Sequence, residues 1–231
     1  MKRTLKTAMN AMQLMILRPV VQWAATRAIV GRNRLRDRSE YGRFTRADVR
    51  RIHREASRLF GELASGRPRE PTRGGRMNVL LACLTLAYFR ALLAAGVERA
   101  YAIELLADAA WKIYEQWGRV PLVLARVVTR DPTQQMRWRV SSFLRFPFNP
   151  PAYEFDRVPT ADGIAVTMHR CPVADYLRAH DAGDLCLGSW CNMDYALAEL
   201  WGGSLQRNGT LAGGARECDF RFAVKPCTSH I

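Results

Sequence analysis

At 231 residues, with 48% apolar and 24% charged residues, the chain is long enough to bury a core of its own and too apolar for bulk disorder. Its 35 Lys/Arg against 21 Asp/Glu leave a net charge of +14, which alone points to nucleic acid or an anionic membrane surface. The excess is local: residues 1–76 hold 19 Lys/Arg and 6 Asp/Glu, net +13, whereas residues 77–231 stand at +1. Six cysteines (Cys83, Cys171, Cys186, Cys191, Cys218 and Cys227) are too few and too irregular for a disulfide scaffold.

Residues 1–30 interleave Met, Leu, Ile, Val and Trp with Lys/Arg and read as a helix that Pro19 kinks or restarts. Arg18-Pro19 interrupts the apolar stretch 8–17 before any convincing cleavage site, so no secretory signal is read and reduced cysteines in a cytoplasm are expected. Residues 31–43 form an arginine-rich connector. A helix from the N-cap Thr45, with Asp48 three residues on, carries Val49, Ile52, Ala56, Leu59, Phe60 and Leu63 at helical spacing. Its other face holds Arg46, Arg50, Arg51, Arg54 and Arg58, read as solvated, with His53 solvated beside them. Helices are predicted over 77–96 and 97–117, the second ended by Gly118, and again over 120–146 with a break at Asp131-Pro132. The run 79–89 is too short to span a bilayer.

After Pro147, Pro150 and Pro151 the period changes. Strands are predicted over 153–158 and 164–170 around a turn at Asp162-Gly163, then a short helix from Cys171-Pro172 to His180. A loop, a helix over 191–200, a strand over 204–211 and a last strand over 218–225 follow. On that last strand Cys218, Phe220, Phe222 and Val224 share one face. Helices first and a small antiparallel sheet with short helices later make an α+β chain. Its expected organisation is a basic helical extension over 1–45 and one domain over 46–231, helical at 46–146 and sheet-containing at 151–231.

The chemistry-bearing residues lie between Cys171 and Phe222. Cys171 and Cys191 sit at predicted helix starts, where a thiol loses its proton more readily. Asp194 lies one turn after Cys191, Arg207 and Thr210 follow on a strand, and Cys218-Asp219 opens the last one. A thiolate can add to an electrophilic carbon, an aspartate can hold a cation or move a proton, and an arginine suits a carboxylate. Cys171, Cys191 and Cys218, with Asp194 or His169, would also make a three-thiolate zinc site with an open position. The absence of any C-x-x-C pair ranks that reading second. Cys83 reads as core, Cys186 as incidental, and His169 as structural; Asp219 and Arg221 share a strand face and suit a surface salt bridge.

The segments RCPVADYL and CNMDYALAELWGGSLQRNGTLAGGARECDFRF, and more loosely GRMNVLLACLTLAYFRALLAAGVERAYAIELL, resemble the L-2-amino-thiazoline-4-carboxylic acid hydrolase family over about residues 75–222. The chain departs from the family's pattern in its basic N-terminus, in Cys186 and in Gly213-Gly214. The resemblance implies a hydrolase that opens a cyclic amidine by attack at the amidine carbon; a small-molecule substrate is expected, and no cofactor, with zinc as the alternative. On that reading Cys191, Cys218 and Asp194 are catalytic, and Arg207, Asp219, Thr210 and Cys171 bind substrate. The competing functions are a non-catalytic small-molecule binder of the same fold and a peripheral membrane protein held by residues 1–58. No motif supports specific nucleic-acid binding, and nothing in the sequence fixes an oligomeric state.

Overall fold

The computed structural model describes residues 19–30 and 44–225. The expected helix 1–30 is therefore described only from residue 19 (α1, residues 19–30), and the connector 31–43, Cys227 and His230 lie outside the described residues. The described helical elements are α2 (Arg46–Ser65), α3 (Arg73–Ala94), α4 (Arg99–Val128), α5 (Pro132–Arg145), α6 (Pro172–Arg178), α7 (Gly183–Cys186) and α8 (Met193–Leu200). The strands are β1 (Glu154–Thr160), β2 (Gly163–Arg170), β3 (Gly203–Gln206) and β4 (Cys218–Val224), which pair antiparallel in the order β1-β2-β4-β3. The architecture is α+β, with the helical part first.

Local chemistry explains the boundaries. At α2 the capping box forms in full: Asp48 N–H donates to Thr45 Oγ1 at 3.3 Å, and Thr45 N–H donates to Asp48 Oδ2 at 2.9 Å. The arginine face of α2 is exposed and partly neutralised in place, Arg51 by Asp48 and Arg58 by Glu55 and Glu62. His53 is not solvated as expected. It is half-buried, its Nδ1 lying 2.7 Å from Tyr88 Oη and its Nε2 2.9 Å from Thr26 Oγ1, and so ties α2 to α3 and α1.

Helix α3 is buried almost all round and packs on α2, α4 and α6. By length and composition it is long enough to cross a bilayer, more than its apolar run suggests, but most of that surface is covered by the protein itself. Helix α4 does not end at Gly118; it runs on through Pro121. Gly118 is there for close packing, since a Cβ would sit 2.5 Å from Leu197 Cδ1 of α8. Its carbonyl accepts a 2.9 Å hydrogen bond from Trp201 Nε1, which fastens α4 to the end of α8.

The sheet's inner face is set by register. Met168 opposes Cys218, Val166 opposes Phe220, and Ile164 opposes Phe222. Helix α5 covers β2 and β4, α8 packs between β3 and α4, and α6 packs on α3. Glu70, buried, pairs with Arg170 at 3.0 Å and ties the loop before α3 to the end of β2.

Candidate active site

The inner faces of β2 and β4 form one side of an apolar cavity of about 120 Å³. Cys171, Cys186, Cys191, Cys218 and Asp194 all line it, together with Tyr114 and Trp190. Three of the residues singled out as catalytic (Cys191, Cys218 and Asp194) thus come to one place. Cys171 joins them, and so does Cys186, which looks incidental in the sequence.

The backbone between α7 and α8 explains how Cys186 gets there. Residues Leu187–Cys191 form a π turn, closed by Asn192 N–H donating to Leu187 O at 3.0 Å. In an α-helix, residues five apart point about 140° away from each other. The wider π turn brings them back to one side, and the Cys186 thiol hydrogen-bonds Cys191. Gly188 lets this turn press on α4, for a Cβ there would lie 2.3 Å from Ile103 Cγ2. Cys191 is accordingly not at a helix start, as expected, but at the end of the π turn, two residues before α8.

The electrostatics separate the thiols. The hydrogen bond to Cys191, then burial, pushes the Cys186 thiol well above its ordinary range. Burial pushes Cys171 strongly up, opposed in part by the Ala174 and Val173 N–H groups at the start of α6. Burial pushes Cys218 up to about 11, opposed in part by Leu211 N–H, which donates to its sulfur at 3.2 Å. Asp194 is raised from 3.8 to about 7 by burial, with Arg207 and then Tyr114 pulling the other way. Burial also holds Tyr114 well above the usual phenol range, so its hydroxyl stays a donor, 3.5 Å from Asp194 Oδ1.

Arg207 stands behind the cavity rather than in its lining. Its Nη1 donates to Cys191 O at 2.9 Å and its Nη2 to Asn192 Oδ1 at 3.1 Å, and Nη1 lies 3.9 Å from Asp194 Oδ2. The guanidinium is stacked between Tyr195 and Phe220, and its side chain is only 4% exposed. It therefore anchors the junction between the π turn and α8 that carries Cys191 and Asp194.

Two other candidates also lie outside the lining. Asp219 accepts from Gly209 N–H at 2.7 Å and from the backbone and side chain of Asn208, which holds the loop after β3 and lowers its own carboxyl. It does not pair with Arg221, which meets Asp162 at 3.3 Å. Thr210 caps the 3-10 turn Leu211–Gly213 by accepting from Gly213 N–H at 2.9 Å. His169 lies on the surface between Asp156 and Glu217. Among the described residues no group of three or more His, Cys, Asp and Glu side chains is placed to hold a metal ion.

Four thiols and a raised carboxylic acid line an apolar cavity floored by an antiparallel sheet in this α+β protein. The family model for L-2-amino-thiazoline-4-carboxylic acid hydrolase matches residues 84–222, a span that includes every residue lining this cavity. The chain belongs to that hydrolase family. No curated protein and no solved structure matches it.

Proposed function

We propose that the protein opens a cyclic amidine of the 2-amino-thiazoline type, with Cys191 as nucleophile and Asp194 as the group that moves the proton. The observation that carries this reading is the meeting of Cys191 and Asp194 on one cavity wall, their junction anchored by Arg207. The Cys191 sulfur adds to the amidine carbon and Asp194 takes the thiol proton. Asp194 then delivers that proton to the ring nitrogen as the ring carbon–nitrogen bond breaks, leaving the carbon bonded to Cys191. Water adds to the same carbon, the bond to Cys191 breaks, and the carbamoyl product leaves. One water is consumed overall.

An acid titrating near 7 suits both halves of this cycle, accepting a proton in one step and returning it in the next. The Cys186 thiol, pushed up by its hydrogen bond to Cys191 and then by burial, keeps its proton beside the attacking sulfur. Cys218, whose sulfur accepts from Leu211 N–H, is part of the cavity lining and shapes it rather than reacts.

The test is ring opening of 2-amino-thiazolines by purified protein, compared with Cys191→Ser, Asp194→Asn and Cys218→Ser. Loss of at least a hundredfold in kcat for the first two, with Cys218→Ser retaining most activity, is expected. Full activity of Cys191→Ser would overturn the nucleophile. Saturable binding with no ring opening by the unaltered protein would favour the non-catalytic binder instead.

A further inference from the structure

A second apolar cavity, also about 120 Å³, adjoins the first. The two share Tyr114, Phe148, Trp190 and Met193 as wall. The second runs between α1, α3 and α4, under the alanine stripe where Ala24 and Ala28 of α1 pack on Ala109 of α4. Among the described residues lining either cavity there is no Lys, Arg or His, and Asp194 is the one charged side chain. On the shared wall the buried Trp190 Nε1 has no hydrogen-bond partner among the described residues.

We propose that this site takes a cyclic amidine bearing an uncharged hydrocarbon or aryl substituent in place of a carboxylate. The amidine lies at Cys191 and Asp194, and the substituent extends past Tyr114 and Trp190 into the second cavity. The proposal rests on Cys191 and Asp194 being the ring-opening pair, and it names the substrate class that pair serves.

Three features argue for it. A substrate carboxylate would be a second anion beside Asp194 in an apolar space whose described lining offers no cation, and an unpaired buried charge is strongly disfavoured. Arg207, the side chain the sequence suggested for that carboxylate, is already engaged by Cys191 O and Asn192 Oδ1 behind the wall. The amidine itself needs no such cation, because its protonated form pairs with Asp194. The continuous apolar lining beyond Tyr114 then has a use, and the orphaned Trp190 N–H offers one donor to a neutral acceptor such as an ether or carbonyl oxygen in the substituent.

The experiment compares 2-amino-thiazolines that are unsubstituted or carry carboxylate, butyl, hexyl or phenyl at ring position 4. Ring-opening kinetics are read as kcat/KM. Binding of unreactive 2-alkyl-imidazolines of matched chain length is read separately by calorimetry. Each buried methylene is expected to strengthen binding about fourfold. Hexyl should therefore exceed the unsubstituted ring by at least tenfold, and the carboxylate should fall below both. Ala110→Phe, which fills the second cavity from α4, should cut the hexyl-to-unsubstituted ratio at least tenfold. The series on the unaltered protein carries the test if that variant does not fold.

A carboxylate handled as well as hexyl, or a flat chain-length series, would overturn the inference while leaving ring opening intact. Imidazoline binding that strengthens with chain length, with no thiazoline opened, would keep the apolar-amidine site and overturn the catalytic reading.

Discussion

Asp194 offers a stability measurement that needs no substrate. Its carboxyl is raised from 3.8 to about 7 in the folded protein, chiefly by burial, and it is 22% exposed where it lines the cavity. The folded state therefore holds this proton more tightly than the unfolded state does. Stability from this group is greatest below pH 4, falls as pH rises towards 7, and levels off above that. A rise of that size corresponds to roughly 4 kcal/mol at full ionisation, and the part lost between pH 5 and pH 8 is about 2 to 3 kcal/mol. Asp194→Asn removes the titration while keeping a similar shape. Urea unfolding of both proteins at half-unit steps from pH 5 to 8 should show the variant gaining on the parent by that amount, most of it below pH 7. Other titrating groups are common to both proteins and cancel in the difference. A difference that stays constant across the range would refute the reasoning, because Asp194 would then ionise alike folded and unfolded.

Other substitutions probe the supports of the site. Arg207→Ala frees the Cys191 carbonyl and removes the cation beside Asp194, so kcat should fall about a hundredfold through misplacement of Cys191 while KM changes less; steady-state kinetics check both. Gly188→Ala should cost about 1 to 3 kcal/mol by driving the π turn off Ile103, and a double-mutant cycle with Ile103→Ala should show part of that loss recovered. Asp219→Ala removes the acceptor for the 208–209 amides and should lower stability by about 1 kcal/mol in urea unfolding, with kcat reduced far less than in Arg207→Ala.

What could be read from the sequence was whatever local patterning decides. Thr45 and Asp48 announce the start of α2 because a capping box needs only four residues. The alternation Cys218, Phe220, Phe222 marks one face of β4, and that face does meet Val166 and Met168 over the cavity. Misreadings arise where a distant partner overrides the local signal. Gly118 looks like a stop, but its purpose is room for Leu197, and its carbonyl finds Trp201 from 83 residues away. His53 looks solvated among arginines because nothing in α2 reveals Thr26 and Tyr88 on either side of it. Cys186 looks incidental because it falls in an expected loop outside the family's motif, and only the π turn brings it to Cys191. The C-x-x-x-x-C spacing from Cys186 to Cys191, with Gly188 inside it, was the available signal. The sequence suggests Arg207 for a substrate carboxylate, because nothing local to β3 reveals the Cys191 carbonyl that it meets from behind the cavity.

The central claim is covalent attack by Cys191. The most direct measurement is rapid acid quench of protein with a 2-amino-thiazoline, followed by intact mass and peptide mapping. The account predicts one added substrate mass per chain, on the peptide that contains Cys191, absent in Cys191→Ser and formed no more slowly than product appears. Product formed at full rate with no adduct on that peptide would contradict it.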